Sequence, residues 1–156
     1  MNIRPAKIKD LNVLTNLFLD LIKNEKSIAP AFKTLDRESI PGIRKYTKKC
    51  INSKSNSFLL LAEINEKVAG FIYCQIKNRP KIYTVKKIGY VSDLFVVKKY
   101  RKRSVGKSLM NEAIKLFKSK KIKHICLSML SGNKNALAFY ESLGFKEFKK
   151  ELKKTL

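Results

Sequence analysis

Three consecutive segments constrain the fold more than any other part of this chain. They are the run Val91-Ser92-Asp93-Leu94-Phe95-Val96-Val97, a basic turn from Lys98 to Gly106, and an apolar-periodic stretch from Leu109 to Phe117. They read as a buried strand, a tight connection and a helix, which places the chain among folds that pack helices on a sheet. The first N–H groups of a helix lack internal acceptors, and the macrodipole is positive at that end, so a helix start attracts anions. Arg101, Lys102, Arg103 and Lys107 add full charges at the same turn. A phosphorylated ligand is the expected occupant.

With 156 residues, 44% of them hydrophobic, the chain can build one sizeable core. A single domain over 1–156 is expected. No apolar run approaches the roughly 20 residues that span a bilayer, and no apolar signal core follows Met1-Asn2-Ile3-Arg4-Pro5, so a cytoplasmic location without a membrane partner is expected. Cys50, Cys74 and Cys126 are odd in number, widely spaced and set among apolar neighbours. That fits free thiols better than disulfides, and no metal site is expected.

The net charge of +23 raises nucleic acid as a partner. Lysine outnumbers arginine 29 to 6 and is spread along the whole chain, however, so a solvated Lys-rich surface is favoured over a polyanion site.

The periodicity predicts a short strand at 3–5 and a helix capped by Asp10, with Leu11, Leu14, Leu17, Phe18, Leu21 and Ile22 on its buried face. A second helix over 36–50 has Ile40, Ile43, Tyr46 and Cys50 on its core side, with Pro41 in its first turn. A hairpin of strands 57–63 and 68–76 follows. A further strand is expected over 82–85, then the strand 88–97, the helix 105–118, a strand 122–129, a helix 133–143 stopped by Gly144, and a last strand 145–152. The fold class is α/β (or α+β) around one mixed sheet.

Gly106-Lys107-Ser108 matches the end of a nucleoside-triphosphate P-loop, but the glycine required five residues earlier is Arg101. A Rossmann fingerprint fails as well, because only Gly106 is present of its three glycines. A third pattern fits both ends of the region. Leu94-Phe95-Val96 followed by Arg101-Lys102-Arg103-Ser104-Val105-Gly106 resembles the strand and turn of the GNAT superfamily of N-acetyltransferases. Asn133, Ala136, Tyr140, Gly144 and Phe145 match that superfamily's second signature at the expected distance. The order of elements from Ile3 onward is also similar, so the resemblance covers nearly the whole chain. Its one departure is Ser104, which stands where the turn has its first glycine.

The resemblance implies a mixed, mostly antiparallel central sheet flanked by about four helices, with a splayed strand pair holding acetyl-coenzyme A. It places the pyrophosphate on the turn formed by Arg101, Lys102, Arg103, Ser104, Val105, Gly106 and Lys107, and the pantetheine arm beside Leu94, Phe95 and Val96. A bulge would free the strand edge that the arm pairs with. An amine would attack the thioester directly. Asp93 is the candidate to orient or deprotonate it, the Leu94 N–H to stabilise the oxyanion, and Tyr140 to protonate the departing thiolate. Asn133 caps its helix and lies beside the cofactor. His124, the only histidine, reads as structural.

The acceptor is expected against the connection between the first two helices and against residues 77–90, a segment without an acidic residue. Glu25 and Asp36 are the acidic positions whose place in the fold would matter. The preferred reading is an acyltransferase that moves acetyl from acetyl-coenzyme A to a primary amine of a small molecule or peptide. A basic nucleic-acid or ribosome-associated protein and a non-catalytic coenzyme A sensor are the rivals, and a homodimer stays open.

Overall fold

The alternation of apolar residues in the first hairpin sets the architecture. In Ser57–Ile64 (β2), Leu59 and Leu61 belong to one buried cluster while Leu60 and Ala62 belong to another, so the strand is apolar on both faces. Each face therefore needs a helical cover. The structure is a computed structural model that describes residues 1–30, 39–53 and 55–154.

Five strands lie in the order β1-β2-β3-β4-β5, where β1 is Asn2–Pro5, β3 is Lys67–Asn78, β4 is Lys87–Val96 and β5 is Ile125–Leu127. The first four are antiparallel, and β5 joins β4 in parallel. Among the described residues four α-helices cover the sheet: α1 (Leu11–Ile28), α2 (Ser39–Asn52), α3 (Val105–Ser119) and α4 (Lys134–Ser142). This is the expected mixed, mostly antiparallel sheet with about four helices.

Against one face, α3 lays Val105, Leu109, Met110, Ala113 and Phe117 on Leu60, Ile72, Cys74 and Val91. Against the other, α1 and α2 lay Leu14, Leu17, Phe18 and Cys50 on Leu59, Leu61, Phe71, Tyr73 and Phe95. Removing one of these fully buried side chains, such as Leu61, costs about 2–5 kcal/mol. Between β2 and β3, Asn65 and Glu66 both take positive φ, 48° and 61°, which suits the two-residue turn of a hairpin.

Several elements differ from the expectation. Asp10 does not cap α1 with its side chain; its carboxylate accepts from Arg4 at 2.7 and 2.8 Å and from the Lys7 N–H at 2.8 Å. Arg4 also reaches Glu63 at 2.6 Å, so the ion cluster ties β1 to β2 and to the start of α1. The beginning of the second helix, predicted from 36, lies outside the described residues, and of its expected core residues Ile40 and Tyr46 are 44% and 42% exposed. Residues 82–85 form part of the β3–β4 turn, and 145–152 take no regular structure. Phe145 packs on the core, but Phe148 and Leu152 are 80% and 91% exposed, so no apolar face extends along the expected last strand.

The strand expected over 122–129 is only Ile125–Leu127. Its first part is spent on a turn in which Lys121 has φ 58° and Ile122 N–H donates to Phe117, closing the end of α3. Its last part leaves the sheet, and that departure shapes the site.

Candidate active site

The site begins with one extra residue in β4. Tyr73 of β3 pairs with Asp93, but its neighbour Cys74 pairs with Val91, so Ser92 is left over as a β-bulge. In a regular strand Asp93 would share the face of Val91. The extra residue reverses the alternation: Val91 packs in the α3 cluster, whereas Phe95 packs in the α1–α2 cluster. Asp93, two residues before Phe95, turns to the α1–α2 side as well. A carboxylate that would have entered the α3 core instead lines a cleft.

The bulge has the same effect on the backbone. Gly89 N–H donates to the carbonyl of His124, just before β5, at 2.9 Å, while Val97 N–H donates to Ala69 on the β3 side, also at 2.9 Å. Counting back from Val97 by alternation, the N–H and C=O groups of Val96 and Leu94 face away from β3. The β4–β5 ladder ends at the pair Val91 and Leu127. Past that pair, β4 presents an open edge that carries the Leu94 N–H. Val96 C=O points the same way and accepts from Arg101 Nε at 3.0 Å.

The turn after β4 is built from left-handed residues. Lys102 and Ser104 both have φ 59°, with Arg103 between them, and Ser104 is the residue before α3. Alternation of this kind curls successive N–H groups towards one point and makes an anion-binding concavity. The Ser104 hydroxyl makes no capping bond, and its carbonyl starts the helix by accepting from Ser108 N–H at 2.9 Å. Serine thus occupies a conformation that glycine adopts freely, at the position where the chain departs from the motif it resembles.

Gly106 joins the two sequence signatures. A Cβ there would lie 3.3 Å from the Phe139 ring and 3.6 Å from Val96, so α4 packs directly over the start of α3. Asn133 Oδ1 accepts from Ala136 N–H at 3.1 Å and caps α4, as expected. Gly144, with φ 84°, ends the helix region, and Tyr140 stands between the rings of Phe139 and Phe145, 5.2 and 5.7 Å away. Burial pushes the Tyr140 hydroxyl up to about 12, with Cys74 and the charge of Asp93 adding to the shift. Tyr140 is therefore a protonated donor at neutral pH, in the electrostatic reach of Asp93.

On the opposite side of β4 lies a cleft of about 530 Å³. Phe18, Leu21 and Ile22 of α1 and Ile43 of α2 give it apolar walls, and Glu25, Tyr46, Ser92, Asp93 and Ser128 give it polar ones. Tyr46 stands with its hydroxyl 3.4 Å from Asp93 Oδ2 and its ring edge-on to Phe18 and Tyr73. Desolvation first and Asp93 second hold the Tyr46 hydroxyl far above the ordinary tyrosine range, so it too remains a donor. The same burial raises the Cys50 thiol, next to Tyr46 and Tyr73.

The fold thus gathers Asp93, Leu94, Phe95, Val96, the turn 101–107 and Tyr140 around one end of β4, whereas Asn133 is seen only as the cap of α4. His124 lies apart, exposed before β5. Residues 77–90, expected beside the acceptor, do not line the cleft. Tyr46 was assigned to packing by its helical spacing; only its proximity to the bulge reveals a polar task. Glu25 is a cleft residue, and Asp36 lies outside the described residues.

A mixed sheet opened along β4, a left-handed turn at a helix start and a cleft behind the bulge that contains Asp93 and Glu25 meet at one strand of an α/β protein. The sequence profile of the acetyltransferase (GNAT) family matches residues 21–145, and the chain belongs to that family. It is 27% identical over 123 residues to N-alpha-acetyltransferase 30 of Xenopus laevis, an alignment covering 79% of this chain and 44% of that one. The chain therefore spans under half the length of that curated relative. In three dimensions it is similar to the BH1408 protein of Bacillus halodurans, solved as a tetramutant, with TM-score 0.90, 21% identity and full coverage of both chains. It is also similar to a predicted acetyltransferase of Clostridium acetobutylicum solved with acetyl-CoA, with TM-score 0.73, 18% identity, and 99% and 95% of the two chains covered.

Proposed function

We propose that this chain transfers the acetyl group of acetyl-coenzyme A to a primary amine. The observation that carries the reading is the Ser92 bulge, which opens the β4 edge on one side and turns Asp93 into the cleft on the other. An extended, amide-bearing arm fits the open edge as a strand would, because Leu94 and Val96 offer backbone groups there. The left-handed turn at 102–104 and the free N–H groups opening α3 suit the pyrophosphate. Arg101 is held on the Val96 carbonyl, so Lys102, Arg103 and Lys107 are left to supply the side-chain charge.

Acetyl-coenzyme A supplies an activated thioester, and the protein supplies geometry and proton handling. Asp93 orients the ammonium and takes its proton, directly or through water, since an alkylamine with a pKa near 10 cannot attack while protonated. The Leu94 N–H donates to the thioester oxygen as negative charge develops on it. The new C–N bond replaces the C–S bond; Tyr140 gives its proton to the sulfur and is reprotonated, directly or through water, by the proton that the new amide nitrogen sheds. A thiolate of pKa about 8.5 is already a fair leaving group, so Tyr140 assists the step.

The apolar walls around Asp93 and Glu25 support an acceptor whose amine is carried on an apolar group, such as a peptide with a free α-amine and an apolar first side chain. Mass spectrometry of such peptides, alkylamines and polyamines incubated with acetyl-coenzyme A and the protein tests the reading. Monoacetylation of the apolar amines is expected, and no acetylated product from any amine refutes it.

A further inference from the structure

The fold concentrates a charge that the sequence displays as diffuse. The β3–β4 turn brings Lys77, Arg79, Lys81, Lys86 and Lys87 together, through the pairs Lys77 with Ile88 and Asn78 with Lys87 and the bond from Arg79 N–H to the Lys86 carbonyl. The turn after α3 carries Lys118, Lys120, Lys121 and Lys123, and it lies against the same end of β4. Gly89 bonds His124, and a Cβ on Gly89 would meet the Phe117 ring at 2.7 Å. No Asp or Glu occurs from 76 to 92 or from 113 to 140, so neither segment carries an acid of its own beside its cations, nine in all. A general lysine bias raises charge everywhere and does not clear acids from one sector.

Aromatic and apolar groups sit among these charges. Ile82 is 89% exposed and Tyr83 41% exposed at the tip, with the Arg79 guanidinium stacked 3.7 Å from the Tyr83 ring centre. Lys77 lies 3.3 Å over the Tyr90 ring. An exposed ring flanked by cations, as Tyr83 is, serves single strands, whose bases have free faces to stack, better than duplexes, whose bases are already stacked. Lys87 is six positions from Asp93 along β4, about 20 Å away, so the surface is separate from the cleft.

We infer that the sheet end formed by residues 77–87 and 118–123 binds single-stranded nucleic acid, with lysines on the phosphates and Tyr83 stacking a base. The surface works independently of acetyl transfer. RNA and DNA share this chemistry and differ in the 2′-hydroxyl and the thymine methyl.

Fluorescence anisotropy of the full chain with labelled oligouridylate and oligothymidylate of about 12 nucleotides, and a duplex of equal length, tests the inference at about 150 mM salt. Lys81→Glu/Lys87→Glu/Lys123→Glu is compared with the charge-matched control Lys7→Glu/Lys9→Glu/Lys67→Glu. The expected result is tighter binding of single strands than of duplex, about tenfold or greater weakening in the first variant and little change in the control. Tyr83→Ala is expected to weaken single-strand binding about tenfold. A preference for uridylate assigns RNA, and a preference for thymidylate assigns DNA. Equal weakening by both charge variants makes the binding a net-charge effect and overturns the inference, as do absence of binding or a preference for duplex. Retained secondary structure by circular dichroism guards against misfolded variants.

Discussion

Val91 and Phe95 stand four residues apart on one strand and pack into opposite cores, Val91 under α3 and Phe95 under α1 and α2. Only the unpaired Ser92 between them makes this so. Everything proposed for the site follows from that reversal, which puts Asp93 into the cleft and leaves Leu94 N–H on an unpaired edge.

Tyr140→Phe is expected to lower kcat about tenfold to a hundredfold and to leave acetyl-coenzyme A binding within about twofold. Because burial pushes the hydroxyl up to about 12, it stays protonated through the working range. The wild-type pH–rate profile should then show no alkaline loss attributable to Tyr140 below about pH 10. Steady-state kinetics over pH 6 to about 10 checks both statements.

Ser104→Gly is expected to raise stability by about 0.5–1 kcal/mol, because φ 59° is strained for serine and free for glycine, a gain partly offset by the entropy of an unfolded glycine. Cofactor affinity should be equal or higher. Denaturant unfolding and calorimetric titration with acetyl-coenzyme A read the two effects; a less stable variant would mean that the left-handed turn is not formed.

Gly106→Asp is expected to abolish acetyl-coenzyme A binding. Its Cβ would be confined between Phe139 and Val96, and its carboxylate would sit at the helix start proposed for the pyrophosphate. Gly106→Ala, which adds bulk without charge, should fold and bind more weakly than wild type. Undiminished affinity in the aspartate variant would move the phosphate site elsewhere.

The Arg4–Asp10–Glu63 cluster gives stability a defined acid dependence. Arg4 lowers the carboxyl pKa of Asp10, first by hydrogen bonding, with the Lys7 N–H helping. A group lowered on folding contributes fully above its unfolded pKa, about 4, and the contribution disappears as pH falls through the folded value. Asp10→Asn should cost about 2 kcal/mol at pH 7, and the gap to wild type should close at acid pH. Thermal unfolding at both pH values checks it.

Much of the site was legible because it is written in contiguous motifs. Leu94 to Gly106 and Asn133 to Phe145 are local patterns, and Gly106 against Phe139 shows why the fold needs both. The bulge was not legible in the same way. A strand that is apolar on both faces carries no alternation from which to read a slip, so the register at Ser92 exists only in its pairing with Tyr73 and Cys74. Tyr46 was hidden for a related reason: helical spacing gives its face but not the carboxylate it meets across the cleft. The expected strands at 82–85 and 145–152 failed because β propensity acts only where a neighbouring strand can pair.

The most direct measurement is amine-dependent release of thiol from acetyl-coenzyme A, followed for the wild-type chain and for Asp93→Asn with an alkylamine of pKa about 10 carried on an apolar group. The account predicts release that requires the amine in the wild type, and in Asp93→Asn a kcat lower by about a hundredfold at neutral pH that recovers as pH approaches the amine's own pKa. Release by the wild type that is independent of any amine, or an Asp93→Asn variant with an unchanged pH–rate profile, would contradict it.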